Sequence, residues 1–389
     1  MWSRTKRASL KHGSKARLNK SMQQELLIKP AFLTSRHSSF ADELRVEAGA
    51  YLKGRADHRY GNTVTALKAV MFGILALVLF FVSLRSTSGV VFVCVYVGFY
   101  VSAVLLSVNV SHDAAHGALF PSRTLNGIAM RVVTLPLGIE PVYWKVRHVR
   151  YHHPNANIEH HDLDTEANRF LRQTPFQAWY PQFRFQQYYW PLVAGLSMPY
   201  IAWIFDWSDR LGLTPLAKDR LLPGLGGWLK FVGSKLAHLG LFLILPLVVV
   251  APSTGYGPVI AAYVLGQMAA SCLVVMLILG THWADTHFYD VSDGAPLPHT
   301  REEHAFLTCC DWAARPHVLN GCLGGLNLHL THHLFPMFSH RHYPELASIV
   351  ERLAKRHGLP YRCLRYRELL DAQRRFLESM GKRPDTQND

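Results

Sequence analysis

Three groups of histidines have the spacing of metal ligands. They are His112-Asp-Ala-Ala-His116, His148-Val-Arg-Tyr-His152-His153 and His329-Leu-Thr-His332-His333. On a helix, positions i and i+4 share a face, so His112 with His116, His148 with His152, and His329 with His333 can each chelate one ion. Neutral imidazole is the commonest metal ligand among side chains and suits iron, copper, zinc and nickel. His282 lies two residues beyond the last apolar run and brings the candidate set to nine. Zinc alone is satisfied by about three or four protein ligands, so nine imidazoles are enough for two ions. Candidate residues to orient the rings are Asp113, Asn155, Asp162, Asp164 and Asn327, with Glu159 and Glu166 nearby. A ligating histidine usually gives its other N–H to such a carboxylate or carbonyl. No catalytic side chain is expected beyond the metal ligands. His238, inside an apolar run, is expected to be hydrogen-bonded, and His340 and His342 to pack or to meet lipid headgroups.

The elements that must carry these rings are apolar. Of 389 residues, 49% are hydrophobic, and they concentrate in four blocks near 65–84, 90–110, 231–251 and 259–280. Each block approaches the ~20 residues a helix needs to cross a bilayer. The expected fold is an all-α integral membrane protein with four transmembrane helices in two hairpins, and a cytoplasmic helical cap bearing the histidines. Lys235, near the start of the third block, is expected to snorkel toward the interface. A fifth apolar stretch, 189–204, contains Pro191 and Pro199 and is read as interfacial or re-entrant. A further crossing there would put the second and third histidine groups on opposite sides of the membrane. The chain divides into a basic cytoplasmic segment 1–60, a membrane domain 61–350, and a cytoplasmic C-terminal helix and tail 351–389. Within the first segment, 39–57 has the pattern of an amphipathic helix lying on lipid.

Charge sets the orientation. The formal net charge is +14, and residues 1–60 hold 13 Lys or Arg against 5 Asp or Glu. That bias belongs to the cytoplasmic side, which places both termini and all three histidine groups there. The same bias argues against nucleic acid as the partner, since the charge gathers just before the first apolar block. It suits anionic lipid or an acidic electron carrier. The six cysteines form no CxxC pair, so neither a disulfide framework nor a zinc knuckle is signalled. No short apolar core with a cleavage site opens the chain, so no cleavable signal peptide is expected. GxxxxGK[ST], GxSxG and HExxH motifs are absent, which removes phosphate-loop, serine-hydrolase and zinc-protease chemistries. Charge is also nearly absent from the four blocks, which disfavours a transporter or receptor with an ion path through them.

Over roughly residues 60–350 the chain resembles the membrane fatty acid desaturases. His112-Asp-Ala-Ala-His116-Gly117 resembles the family's first box. Trp144-Lys-Val-Arg-His148-Val-Arg-Tyr-His152-His153-Pro154-Asn155, with Asp162-Leu-Asp164 after it, resembles the second. Gly324-Gly-Leu-Asn-Leu-His329-Leu-Thr-His332-His333-Leu-Phe-Pro336 resembles the third. Ser339-His-Arg-His-Tyr-Pro344 and the run 176–206 resemble the branch with linoleoyl-CoA and front-end desaturases. The chain departs from that branch by carrying His329 where front-end members carry Gln, and by lacking the His-Pro-Gly-Gly signature of a fused cytochrome b5. The resemblance implies two iron ions held by His112, His116, His148, His152, His153, His282, His329, His332 and His333. It implies dioxygen as co-substrate, and a fatty acyl lipid, acyl-CoA or acyl carrier as substrate. Electrons would come from a separate donor of ferredoxin or cytochrome b5 type. A hydroxylase or other oxygenase of lipid or hydrocarbon is the alternative on the same scaffold. Side-chain acids and bases contribute only about 10²–10⁴-fold and cannot remove an unactivated methylene hydrogen, so the chemistry needs a redox metal.

Overall fold

The computed structural model describes residues 29–33, 39–315 and 318–384. The most basic part of the N-terminal segment, 1–28, lies outside the described residues. What is described is mostly helical with almost no strand, and four helices are long and apolar enough to cross a bilayer: Thr63–Ser83, Gly89–Ala115, Gly224–Val249 and Tyr256–His282. The first opens on Asn62, whose side chain accepts from Thr65 N at 3.1 Å, a cap that satisfies one of the free N–H groups of the first turn. Val70, Ile74, Leu77 and Phe81 form an exposed stripe along it, the face left to lipid. Inside the bundle, Phe92, Tyr96, Tyr100 and Val104 of the second helix are buried with Val259, Ala262 and Ala270 of the fourth. Gly266 makes that contact close, since a Cβ there would stand 2.2 Å from the Tyr100 ring. Small residues let membrane helices approach in this way.

The helices outrun the apolar blocks. The second was expected to stop at 110 and runs to Ala115; the third was expected from 231 and begins at Gly224. Hydropathy marks where lipid ends, whereas a helix continues as long as its backbone bonds do. Residues 111–115, among them the polar Ser111, His112 and Asp113, continue the helix because they are buried in protein. The third helix also carries a π turn at Gly240–Ile244 just before Pro246, where the missing proline N–H breaks the regular ladder.

Packing alters the expectations for Lys235 and for the amphipathic helix. Lys235 does not snorkel. Its ammonium is buried and donates to Gly138 O and Ala202 O, each at 2.6 Å, and to Asp206 at 2.7 Å. The stretch 189–204 lies in a helical run, Gln186–Tyr200 followed by a π turn at Ile201–Phe205, set against the fourth helix. Ser271 Oγ donates to Ala194 O and accepts from Met198 N. At 1.5 Å per residue, Ser271 lies about 16 Å along its helix from His282. The amphipathic helix, Ser39–Gly54, turns Phe40, Leu44 and Ala48 onto protein instead of lipid. It packs on Tyr343–His357, with Glu43 paired to Arg356 at 2.7 Å. Position 350 falls inside that helix, and a second C-terminal helix, Tyr366–Gly381, follows. A short parallel pair, Asp311–Ala313 with Cys363–Arg365, ties the C-terminal part to the loop after the fourth helix.

The glycines before the third histidine group position it. Gly324 has φ +60 and Gly325 φ +77, the left-handed region where side chains are strained. A Cβ on Gly324 would stand 2.7 Å from Val108 O of the second helix. Gly321, three residues earlier, has nothing within 4 Å of such a Cβ. Gly324→Ala is therefore expected to destabilise the protein by about 1–3 kcal/mol, and Gly321→Ala to be nearly neutral. Thermal unfolding of the two variants in detergent checks this; equal midpoints would contradict the close approach.

Candidate metal centre

Each histidine group sits where a membrane helix ends or a buried turn begins. His112 and His116 lie at the C-terminal end of the second helix, where its last turns are buried in protein. His282 closes the fourth helix in a 3-10 turn, Leu279–His282. His329, His332 and His333 lie on a short buried helix, His329–Leu334. The second group differs from expectation. Residues Arg147–His152 form a π turn, and His153 N donates to His148 O at 3.0 Å. This brings i and i+5 together, so His148 lies beside His153 with their Nε2 atoms 3.2 Å apart. His152 still stacks on His148, with centroids 5.7 Å apart. Bulges of this kind are frequent at functional sites. The turn is anchored from outside: Arg147 pairs with Asp209 through two hydrogen bonds, Tyr151 OH donates to Asp219 at 3.0 Å, and Asn155 Nδ2 donates to Tyr151 O at 2.8 Å.

The result is two sets of four imidazoles. One comprises His112, His116, His148 and His332; the other His152, His282, His329 and His333, and within each set the candidate ligand atoms lie within 4.8 Å of one another. His153 lies between them. Its Nε2 is 2.8 Å from that of His332, and its ring stacks on His333 with centroids 4.3 Å apart. His148, His152 and Asp164 form a third, overlapping group.

The donor set fits metal. Burial holds His116, His148, His153, His329, His332 and His333 well below the ordinary imidazole pKa, so these rings are neutral and keep a lone pair. Several buried ring nitrogens have no hydrogen-bond partner among the described residues: both of His112, Nε2 of His116 and His333, and Nδ1 of His153 and His329. Buried polar atoms are rarely left so. His152 is the exception in charge. Burial lowers its pKa, but the nearby Asp162 and Asp164 outweigh that and push it up to about 9. A bound cation would displace that proton, because metal binding and protonation compete for the same nitrogen.

Surrounding groups fix ring orientation. His152 Nδ1 donates to Asp162 Oδ1 at 3.0 Å, and His282 Nδ1 donates to Thr308 O at 3.0 Å. In both rings Nε2 is then free to face the cluster. His332 Nδ1 meets Tyr343 OH at 2.7 Å, and Trp144 stacks on His148 at 5.1 Å. Asp164 is farther, 3.6 Å from His152 Nδ1. Asp113 touches none of the nine rings by a hydrogen bond. It accepts from Ser339 Oγ at 2.6 Å and His340 Nδ1 at 2.9 Å, and His340 Nε2 meets Lys68 Nζ at 2.6 Å. It therefore fastens the first group to the segment after the third. Asn155 caps the π turn, and Asn327 bonds Trp312 O and Asn320, not a ring. His238 is hydrogen-bonded on both nitrogens, to Leu135 O and Tyr263 OH.

Four contributors were not singled out in the sequence. Tyr343 lay within a motif already noted, so a signal existed. The Thr308 carbonyl carries none, since any residue has one. Asn157 binds Asp162 through its N–H and donates to His282 O and His287 O, joining the second group to the end of the fourth helix. Asp311 accepts from Thr331 N and Oγ1 at 3.1 and 2.6 Å, fixing the helix of the third group.

Comparison with known proteins identifies the family. The family profile described as fatty acid desaturase matches residues 86–365. The sn-1 linoleoyl-lipid 6-desaturase of Synechocystis sp. is 28% identical over 288 residues, covering 72% of this chain and 78% of that protein. The sn-1 linoleoyl-lipid 6-desaturase of Arthrospira platensis is 28% identical over 307 residues, covering 75% and 78%. An acyl-lipid (7-3)-desaturase of Rebecca salina is 30% identical over 293 residues, covering 72% of this chain and 62% of that protein. With the profile spanning most of its length and all three histidine groups inside the match, the chain belongs to the fatty acid desaturase family.

Proposed function

We propose that this desaturase removes two hydrogens from adjacent carbons of an acyl chain carried on a membrane lipid, using dioxygen and electrons from a separate ferredoxin- or cytochrome b5-type carrier. The observation that carries the proposal is the pair of buried four-histidine sets with His153 between them. His112, His116, His148 and His332 would hold one iron ion, and His152, His282, His329 and His333 the other, with His153 adjoining both. Bound iron supplies, with dioxygen, the redox capacity that no side chain here possesses. The protein's own part is to bury the rings away from bulk water and present neutral imidazole nitrogens. Asp162 and the Thr308 carbonyl hold Nδ1–H of His152 and His282, leaving Nε2 for the ion. The relatives act on linoleoyl-lipid and acyl-lipid by name, which supports a lipid-esterified substrate over a soluble thioester. The basic N-terminal segment supports a cytoplasmic position for the termini and the histidines.

The test is lipid analysis of a host expressing the chain, together with iron analysis of the purified protein. The expected product is lighter by two hydrogens. A product heavier by one oxygen would assign a hydroxylase instead, and purified protein unable to take up iron would reject the metal assignment.

A further inference from the structure

A cleft of about 490 Å³ lies between the start of helix Gln186–Tyr200 and the end of helix Tyr366–Gly381, lined by Trp179, Arg184, Tyr188, Glu378, Lys382 and Arg383 among others. Its charge is one-sided. Glu378 is engaged by Arg374 at 2.8 Å, whereas Arg184, Lys382 and Arg383 have no carboxylate partner among the described residues. The guanidinium groups of Arg184 and Arg383 both approach the Trp179 ring, each 5.9 Å from its centroid. The walls are stapled together: Trp179 Nε1 donates to Gly381 O at 2.9 Å, and Arg172 to Met380 O at 3.1 Å.

The cleft lies beside the end of the fourth membrane helix that carries His282. From it, helix Gln186–Tyr200 descends along the fourth membrane helix, with Gly195 against Met268 and Cys272. Phe185, Tyr188, Leu192 and Leu196 form an exposed apolar stripe down its outer side. Trp and Tyr at the top of such a stripe mark the headgroup level. Inward, the same two helices share an apolar cluster with Leu279 and Trp283, the latter adjacent to His282. Cations at headgroup depth beside an apolar stripe match the chemistry of an anionic lipid, and arginine in particular suits phosphate.

We propose that this cleft seats the phosphate of an anionic glycerolipid whose acyl chain is presented to the histidine site; the presentation rests on the desaturase reading, the binding does not. The lipid backbone lies at the cleft with its phosphate against Arg184, Lys382 and Arg383, and its chains follow the apolar stripe.

The experiment compares phosphatidylglycerol with phosphatidylcholine on the full-length purified protein. Binding is read by quenching of tryptophan fluorescence with brominated forms of each lipid, and turnover by kcat/KM on each. A basic side chain near an anionic surface contributes about a fivefold gain. The triple variant Arg184→Ala, Lys382→Ala, Arg383→Ala is thus expected to lose the preference for phosphatidylglycerol by on the order of a hundredfold. The double variant Arg184→Lys, Lys382→Arg, which keeps every charge, should retain most of it. Glu378→Gln should leave or strengthen it, since it removes the cleft's acid. A triple variant that still prefers phosphatidylglycerol would overturn the binding site. Lost binding with unchanged kcat/KM on phosphatidylglycerol would overturn its role in presenting substrate. Failure of wild-type protein to desaturate either lipid would count against the desaturase reading, and the quenching measurement would still decide the cleft.

Discussion

Replacement of His332 by alanine is expected to reduce desaturation to background and to lower bound iron by about half or more. His332 belongs to the first four-histidine set, with its ring centroid 4.2 Å from that of His112 and 4.8 Å from that of His116. Its Nε2 is also the nearest ring neighbour of His153 Nε2, at 2.8 Å, and His153 stacks on His333 of the second set. Removing this one ring therefore opens the first set and loosens the residue that adjoins the second. It also deprives the buried Tyr343 hydroxyl of its hydrogen-bond partner, which costs about 1–3 kcal/mol. The membrane bundle has a separate core around Phe92, Tyr96 and Tyr100, so the variant is expected to stay inserted. Iron per chain on purified protein and double-bond formation in lipid extracts are the two readings. Wild-type iron with wild-type turnover would remove His332 from the metal site.

The parts that were legible in the sequence share one property: their signal is local. The four membrane helices follow from runs of apolar residues, and the histidine groups from i, i+4 spacing on one helix face. What was not legible depends on partners far along the chain. The spacing of His148, His152 and His153 fits an α-helical face pairing 148 with 152. The π turn that also brings 153 beside 148 is held by Asp209 and Asp219, which local periodicity cannot register. Lys235 looks like a snorkelling side chain until Gly138, Ala202 and Asp206 surround it. Asp113 sits inside a histidine group and yet serves Ser339 and His340, over two hundred residues away. The amphipathic pattern of 39–57 was visible, but an apolar stripe does not say whether lipid or another helix covers it. Asp162 was legible as an acid after the second group; its three hydrogen bonds were not.

Those three bonds make Asp162→Asn the most informative change outside the rings. Asp162 Oδ1 accepts from His152 Nδ1 and from Asp164 N, each at 3.0 Å, and Oδ2 accepts from Asn157 N at 3.0 Å. All three are donors, and an ionised carboxylate is acceptor-only, so every contact is matched. An asparagine offers one oxygen and turns its NH₂ toward at least one of these donors. If the amide nitrogen faces His152, the ring loses the acceptor that fixes its tautomer and angle. If it faces Asn157, the loop joining the second histidine group to the end of the fourth helix loosens. Either orientation leaves a buried N–H unpaired. Loss of such a supporting bond typically lowers metal affinity or activity by about 10–100-fold, and that range is expected here. Asp164→Asn should be milder, because Asp164 stands 3.6 Å from the same nitrogen and its side chain is half exposed. Measuring both variants at saturating iron separates the two effects of Asp162. Recovery with added iron points to weakened ligation by His152, and a persistent deficit points to a displaced second group. Turnover in Asp162→Asn equal to wild type at limiting iron would show that neither bond matters to the site.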